Sequence, residues 1–473
     1  MLAMFLSALD QTIIATALAT IGRSFGDVEN LSWIVTAYLL TSTVAVPLYG
    51  KLSDIHGRRP MLMIGIGIFV AGSIACALAP TMPALIFGRA LQGLGGGGLI
   101  SLAQTIIGDA VSPRERGRYQ GYIASVFASS SIAGPVLGGI FAEHLHWTMI
   151  FWINLPLGLL AILMSLRALR ALPRHERPHK LDVIGALLMI SAAVTLLLAL
   201  NWGGTRYAWT SPQLLGLLAG SVLLWLLFGW RLMRAPEPFV PLTILRNPVI
   251  AVATSTAAFA FGTMIALSIY APVYFEVVLG LSAAASGLTL IPFMGGVVVG
   301  STLSGQLMAR VLRYKRIGLV GMPFAVLALL PVAIAPGALS VTAVATLLAI
   351  AGTGLGTVLP ITTISVQNAV ALHELGTATA VNNFVRSLAS ALLVAVYGAI
   401  LLGGVAKGPG GLTLEALLAT ASRTGTDLAP VFGWIFAMAV VCLTISFILL
   451  IIMEERPLRS ATPRVEAPPL AAE

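Results

Sequence analysis

One carboxylate lies in the middle of the first apolar stretch of the chain. The stretch covers residues 1–21, MLAMFLSALDQTIIATALATI, and places Asp10 beside Gln11 and Thr12. Its length is about what a helix needs to cross a bilayer. A charge at that depth is costly unless it has a partner or a task, and almost none of the later apolar runs carries one. We therefore expect Asp10 to be a proton-carrying group.

A second charge, Arg89, lies inside the fourth apolar run. If the first run leads outward and the fourth inward, Asp10 lies roughly 16 Å and Arg89 roughly 9 Å from the outer end of its helix. A neighbouring guanidinium favours the ionised carboxylate, whereas burial favours the protonated one. We expect proton exchange at this pair to change which helix arrangement is favoured. The alternative is a static buried pair that fixes packing, although such pairs stabilise poorly.

The composition excludes a soluble protein. The 473 residues are 58% hydrophobic and only 10% charged, whereas a soluble domain needs about a quarter charged residues. The net charge of +9 does not indicate a nucleic-acid partner, because the basic residues lie in short loops between apolar runs. Cys76 and Cys442 fall inside apolar runs, so neither a disulfide framework nor a metal site is expected. The chain is predicted to be a polytopic membrane protein.

Fourteen apolar runs are long enough to cross a membrane, and helix is the spanning structure that fits them. They cover roughly 1–21, 31–49, 61–80, 83–106, 118–141, 149–169, 182–202, 213–233, 249–273, 284–309, 317–336, 340–365, 378–402 and 429–452. Most Lys and Arg residues lie in the loops after even-numbered runs and in the C-terminal tail, so that side and both termini are predicted to be cytoplasmic.

Two longer basic connections divide the fourteen runs into six, two and six. The predicted domains are an N-terminal six-helix bundle at 1–170, linkers with two extra transmembrane helices at 171–246, a C-terminal six-helix bundle at 247–453 and a disordered cytoplasmic tail at 454–473. The tail is rich in proline and alanine, which is why we expect it to be disordered.

Four local patterns follow one another along the first five runs. They are LDQT at 9–12, GKLSDIHGRR at 50–59, RALQGLG at 89–95 and GPVLGG at 134–139. Together they resemble the signature set of the major facilitator superfamily, and LDxT with fourteen runs is similar to its larger drug:proton antiporter branch. The resemblance covers residues 1 to about 453. Members of that branch have more residues ahead of LDxT, so we expect the natural chain to begin upstream of Met1.

The resemblance implies an all-α polytopic membrane protein with a major facilitator fold, two six-helix bundles plus two additional transmembrane helices. It implies proton-coupled export of amphipathic drugs or toxic organic compounds across the bacterial cytoplasmic membrane by alternating access, with Asp10 and Arg89 as the proton-coupling residues. The expected partners are a small amphipathic substrate, protons and membrane lipids, and the protein is expected to be a monomer. No cofactor is expected besides the coupling proton. No catalytic residues can be assembled, so the chain is not predicted to be an enzyme.

The second pattern has a functional and a structural interpretation. The resemblance implies that Gly50, Asp54, Gly57, Arg58 and Arg59 form a conformational latch that stabilises the outward-facing state. The alternative is a basic anchor at the cytoplasmic surface with a tight turn at Gly57. The two interpretations are compatible with each other.

The fourth pattern, Gly134, Pro135, Gly138 and Gly139, resembles the helix-packing motif that marks exporters in the family. Proline kinks a helix, and glycine lets helices approach closely. The predicted partner is the glycine row of the tenth run, Gly295, Gly296, Gly300 and Gly305, where the two halves would meet. Ordinary helix packing is the alternative.

Polar residues inside the runs could line a substrate cavity or bond between helices. The candidates for the cavity are Gln11, Thr12, Gln92, Asn382 and Asn383. Arg386 could point towards the cytoplasmic surface or line the path, and Glu276 could be a rim charge or a second titrating site. A lipid or siderophore exporter with the same architecture remains an alternative function, as does a non-transporting membrane sensor. Growth in dyes and quaternary ammonium compounds would separate the exporters.

Overall fold

The computed structural model describes residues 1–27, 30–168, 181–204, 206–311, 313–405 and 428–458, and the regular structure in these residues is helical. The helices are α1 Leu2–Phe25, α2 Leu31–His56, α3 Arg58–Ala77, α4 Met82–Ala110, α5 Pro113–His144, α6 Met149–Trp152, α7 Asn154–Ala168, α8 Val183–Trp202, α9 Pro212–Arg234, α10 Leu242–Leu245, α11 Pro248–Val277, α12 Ala283–Leu288, α13 Leu290–Met308, α14 Lys315–Ile334, α15 Val341–Asn368, α16 Leu375–Val405 and α17 Ala429–Ile452. A 3₁₀ helix at Leu372–Glu374 precedes α16.

Each of the fourteen predicted runs corresponds to one long helix or to a broken pair. The sixth run is broken into α6 and α7 at Ile153, and the tenth into α12 and α13 at Thr289. Within the described residues, thirteen helical segments are long and apolar enough to cross a membrane, and α1 is apolar over Leu2–Leu18. The chain is a multi-pass membrane protein, as its composition predicted.

Local sequence signals fix where the helices begin and end. Thr81 accepts a hydrogen bond from the backbone N–H of Ala84 at the start of α4, and Ser112 with Glu115 forms a capping box at the start of α5. Gly57 has φ +93° and is the whole connection between α2 and α3. A side chain would strain that conformation, so the predicted tight turn at Gly57 is confirmed.

The helices pack in two groups joined along two seams. In the first group α4 packs on α2 and α3, and α5 on α1; in the second, α15 packs on α13 and α14, and α11 on α16 and α17. The first seam joins α5 to α13, and the second joins α2 to α16. Helices α8 and α9 pack on each other, and α8 contacts α2 and α16 beside the second seam. The domain boundaries stay predictions, and most of the predicted tail, 459–473, lies outside the described residues.

The first seam depends on two glycines that face each other. A Cβ built on Gly117 of α5 would overlap the carbonyl oxygen of Gly305 of α13, and the reverse is also true. Gly121 lies one turn further along α5 and packs on Thr302. These contacts lie at the end of the molecule where α2 turns into α3, which we call the basic end because Arg58, Arg114 and Arg310 lie there. At the basic end the two helix groups are in backbone contact.

The predicted partner of the Gly134–Gly139 motif is wrong. A Cβ on Gly134 would overlap the Thr12 hydroxyl, and one on Gly138 would overlap the Ile13 carbonyl, so this face of α5 packs on α1. Gly139 has open space around its Cβ position. Gly134 and Gly138 lie on a different face of α5 from Gly117, because 3.6 residues make one helical turn. The face that carries the motif therefore does not meet α13.

The glycine row of α13 also has other partners than predicted. Gly296 and Gly300 pack on Thr353 of α15, inside the second helix group, and Gly295 has open space around its Cβ position. Gly305 alone, of the four predicted positions, meets α5, and it does so at Gly117. The small residues therefore serve mainly to pack helices within each group.

Candidate functional site

Asp10 lies at the centre of a buried polar cluster that joins α1, α4 and α7. Its carboxylate accepts hydrogen bonds from Arg89 Nη1 at 2.6 Å, Gln92 Nε2 at 2.7 Å and Asn154 Nδ2 at 3.1 Å. Ser73 Oγ of α3 accepts from the same two amides, at 2.8 Å and 3.3 Å. Asp10 and Arg89 are each only 1% exposed. We call these five residues the Asp10 cluster, and the expected contact between Asp10 and Arg89 is present in it.

Arg89 is held on its other sides by α2. Its Nε donates to the carbonyl oxygen of Ile34 at 3.1 Å, and its guanidinium carbon lies 4.3 Å above the centre of the Tyr38 ring. Nη1 donates to Gln92 Oε1 at 2.6 Å as well as to the carboxylate. A guanidinium with this many acceptors keeps a fixed orientation, so the loss of the carboxylate charge would remove its strongest contact and leave the weaker ones.

A cavity of about 550 Å³ lies between the two helix groups. Helices α1, α2, α4, α8, α11 and α16 contribute most of its wall, and Trp209 lies where α8 connects to α9. The polar groups on the wall are mainly hydroxyls and amides among apolar side chains, and Arg386 is the one charged residue among the described residues that line it. Both seams are closed at the basic end, and Asn201, Gly203 and Trp209 line the wall towards the opposite end.

The Asp10 cluster lies directly behind this wall. Gln11 and Ser7, on either side of Asp10 along α1, line the cavity, whereas Asp10 does not. Tyr38 connects the two sites, because its ring covers Arg89 and its hydroxyl lies 3.2 Å from Ser7 Oγ. The acid is therefore close to the cavity and shielded from it in this conformation.

Two of the five predicted cavity residues line the cavity, namely Gln11 and Asn383. Asn383 Nδ2 donates to Gln104 Oε1 at 2.8 Å, and this bond joins α16 to α4 across the two helix groups. Asn383 is thus both a wall residue and a contact between the groups. The bond would have to break if α4 and α16 moved apart.

The other three predicted cavity residues face neighbouring helices instead. Gln92 belongs to the Asp10 cluster, and Thr12 Oγ1 donates to the carbonyl oxygen of Ser130 on α5 at 2.8 Å. Asn382 is 1% exposed and is surrounded by protein rather than by the cavity. For these residues the prediction of a cavity position is wrong, because polarity inside an apolar run does not say which side of the helix faces the cavity.

The predicted latch residues lie at the basic end of the second seam. Asp54 Oδ1 accepts from the backbone N–H of Gly376 at 3.0 Å, and Oδ2 accepts from the N–H and the hydroxyl of Thr377 at 2.7 Å and 2.6 Å. A carboxylate of α2 thus caps the first turn of α16, where the helix dipole favours a negative charge. Arg58 is ion-paired with Asp54 and also bonds Asp109 of α4 at 2.8 Å.

The remaining latch residues have different roles. A Cβ on Gly50 would overlap Ala380 of α16, so Gly50 permits the close approach of the two helices. Gly57 makes the turn described above. Arg59 lies beside Arg58 at the start of α3, and the hydrogen bonds that join α2 to α16 do not involve it. We call Asp54, Arg58 and Asp109, with the first turn of α16, the basic-end cluster.

Several residues of these clusters are absent from the sequence predictions. Asn154 and Ser73 bond the Asp10 cluster, and Tyr38 covers it. An amide in an apolar run, as at Asn154, is a signal that could have been used, since buried amides need partners. Asp109 follows a long apolar run and could have been matched to Arg58 by charge. Glu276 is exposed at the end of α11, in agreement with the rim position considered for it.

Comparison with known proteins identifies similar membrane transporters. A model of the Major Facilitator Superfamily matches residues 1–394. The chain is 35% identical over 402 residues to Multidrug transporter protein MdtP of Bacillus subtilis (strain 168), with 85% of this chain and 74% of that protein covered. It is 33% identical over 401 residues to Multidrug resistance protein 3 of the same organism, with 85% and 78% covered. The crystal structure of the human organic anion transporter MFSD10 matches with a TM-score of 0.65 over 95% of this chain and 97% of that one, and at 17% identity the likeness shows the fold alone.

Proposed function

The chain belongs to the major facilitator superfamily, and we propose that it exports amphipathic organic compounds in exchange for protons by alternating access. Membership of this family of transporters, together with relatives named as multidrug transporters, makes it a transporter of the multidrug efflux type and not an enzyme. The fold is the predicted one of helix bundles that meet around a central cavity.

The Asp10 cluster is the observation that carries the proposed proton coupling. It places a buried carboxylate and a buried guanidinium 2.6 Å apart, next to residues that line the cavity. Removing one charge from such a pair leaves the other uncompensated, which is costly at low dielectric. Protonation of Asp10 would therefore release Arg89 from its main acceptor and favour a different arrangement of α1 against α4. In this scheme the proton reaches Asp10 only in a conformation that opens the cluster to the cavity.

The energy available is adequate for export. One proton that enters down a membrane potential of about 100 mV supplies about 2.3 kcal/mol, and about 1.4 kcal/mol sustains a tenfold gradient of substrate. The cavity wall is largely apolar, and apolar contacts discriminate weakly between similar compounds, which supports a broad substrate range. We place the protein in the bacterial cytoplasmic membrane with both termini inside, as a monomer among membrane lipids, with the proton as its only coupling partner.

Dye efflux from everted vesicles tests the proposal. We expect Asp10→Asn to abolish the dye transport that a pH gradient drives, down to the level of vesicles without the protein. The variant should still insert into the membrane. Asp182→Asn is the matched control, since Asp182 is another buried carboxylate paired with an arginine, Arg231 at 3.0 Å, and it lies outside the Asp10 cluster. Unchanged uphill transport in Asp10→Asn would remove this acid from the mechanism.

A further inference from the structure

Arg386 is a charged residue of the cavity wall that has no role in the proposed proton cycle of Asp10 and Arg89. It lies in α16, which belongs to the second helix group, and it lines the cavity wall. We propose that Arg386 binds the acidic group of the substrate, so that the exported compounds are amphipathic organic anions such as carboxylates or sulfonates. This inference rests on the proposed function for transport, but the binding site itself is argued from the cavity alone.

Arg386 differs in its partners from the arginines that form ion pairs inside the molecule. Arg58, Arg89 and Arg231 each bond a carboxylate, at 2.8 Å, 2.6 Å and 3.0 Å. The Nε atom of Arg386 is buried and has no hydrogen-bond partner among the described residues. No acidic residue is among the described residues that line the same cavity. The cavity thus contains a positive charge that the protein itself does not neutralise.

An uncompensated guanidinium at this depth is expensive, and such residues in membrane proteins are usually part of a substrate or ion path. The planar fork of arginine matches a carboxylate or a sulfonate through two parallel hydrogen bonds. The guanidinium carbon lies 4.1 Å from the centre of the Phe261 ring, and this cation–π contact helps to position the side chain.

The rest of the wall suits an amphipathic molecule. Asn383, Arg386, Ser387 and Ser390 follow the helical spacing of three and four residues, so they form one polar stripe along α16. Apolar side chains of α11, among them Ile265 and Ile269, face the same cavity. An acidic group at Arg386 would leave the apolar body of the ligand against α11.

Two dyes with the same skeleton test the charge requirement. Anilinonaphthalene sulfonate carries a sulfonate, and N-phenylnaphthylamine is the same molecule without it. We measure binding by fluorescence titration of the full chain in lipid nanodiscs, with the signal of empty nanodiscs subtracted. The wild type should bind the sulfonate more tightly than the neutral dye. Arg386→Gln should weaken sulfonate binding about tenfold or more and change binding of the neutral dye by less than about twofold.

Two further variants separate charge from structure. Arg386→Lys keeps the charge but loses the bidentate fork, so it should weaken sulfonate binding less than Arg386→Gln does. Arg313→Gln makes the same change as Arg386→Gln at an exposed arginine of the basic end and should have no effect. Equal affinity of the wild type for both dyes would refute the inference. Equal weakening of both dyes in Arg386→Gln would also refute it, because Arg386 would then be a structural residue.

The binding experiment needs no gradient, so its outcome is independent of proton coupling. If the sulfonate binds through Arg386 but a pH gradient does not drive its export, the proposed transport mechanism fails and the anion site stands. If a pH gradient drives export of the neutral dye and Arg386→Gln leaves sulfonate binding unchanged, the anion site fails and the transport mechanism stands.

Discussion

Asp54 connects the two helix groups at the basic end, and its replacement by asparagine is the most direct test of the latch. Asp54→Asn keeps the size of the side chain and one acceptor oxygen. It removes the negative charge that faces Arg58 and the N-terminus of α16. It also replaces the second carboxylate oxygen by an NH₂ group, which donates hydrogen bonds instead of accepting them. If that donor faces Thr377, the N–H and the hydroxyl of Thr377 both lose their acceptor.

The size of the effect follows from these contacts. A hydrogen bond to a charged group contributes about 1.5–3 kcal/mol, so the loss of two such bonds could cost about 3–6 kcal/mol. Water can reach the separated groups when the basic end opens, and we therefore expect a net loss of about 2–4 kcal/mol for the closed state. This energy lowers the ratio of closed to open molecules by a factor of about 30 to 1,000.

Distances between spin labels across the second seam measure this ratio. His56 at the end of α2 and Ala371 ahead of α16 are both exposed and can be replaced by cysteine for labelling. The native Cys76 and Cys442 are buried, at 0% and 2% exposure, and should not react in the folded protein. The unmodified seam should give one short distance, and Asp54→Asn should add a longer distance that accounts for a large share of molecules.

Glu454→Gln is the control for the loss of a carboxylate at the same end of the molecule. Glu454 forms an exposed ion pair with Arg456, with 58% and 40% of the two side chains accessible, and such pairs contribute little. Its distance distribution should match that of the parent protein. The latch interpretation is refuted if Asp54→Asn gives the parent distribution in detergent and in lipid, since the bonds to α16 would then not hold the basic end closed.

Three other substitutions test the packing of α5 and the connection between the Asp10 cluster and the cavity. Gly138→Leu should nearly abolish transport, because its side chain would collide with Ile13 on α1. Gly139→Leu should transport at the parent rate, because the space beside Gly139 is open. Equal initial rates of dye efflux in the two variants would contradict the packing described. Tyr38→Phe keeps the ring over Arg89 but loses the hydroxyl contact with Ser7. If this contact connects the Asp10 cluster to the cavity wall, the variant should slow proton-driven efflux several-fold and leave dye binding unchanged. Unaltered efflux would show that the hydroxyl is not needed for this connection.

The sequence predicted the features that depend on apolar runs, on a turn residue and on single charges inside apolar runs. Apolar runs located the helices, the turn residue Gly57 located the break between α2 and α3, and opposite charges at Asp10 and Arg89 predicted a pair. Each of these follows from local composition or from the cost of an isolated charge in a membrane. The structure agrees with all three.

The sequence could not predict which face of a helix meets which neighbour. Gly138 packs on α1 rather than on α13, and Thr12 bonds α5 rather than facing the cavity. Successive residues of a helix point about 100° apart around its axis, so an error of one residue changes the neighbour that a side chain contacts. The apolar runs here are too uniform to predict which face of each helix points towards which neighbour. In a lipid-facing helix the polar side need not be the exposed side, so amphipathic patterns that orient helices in soluble proteins give little guidance.

The sign of the substrate charge decides how the proposed exchange would use the membrane potential. When a monovalent cation leaves as one proton enters, no net charge crosses and the potential contributes nothing. When a monovalent anion leaves as one proton enters, two charges move in the favourable direction, which supplies about 4.6 kcal/mol at about 100 mV. The guanidinium of Arg386 has an Nε atom without a hydrogen-bond partner among the described residues, and the Asp10 cluster is internally neutral. An anionic substrate bound at Arg386 would therefore give a pump that the potential drives strongly even when the pH is equal on both sides. Among the described residues the cavity wall has no carboxylate beside Arg386 that would bind a cationic substrate there and so favour the charge-neutral exchange.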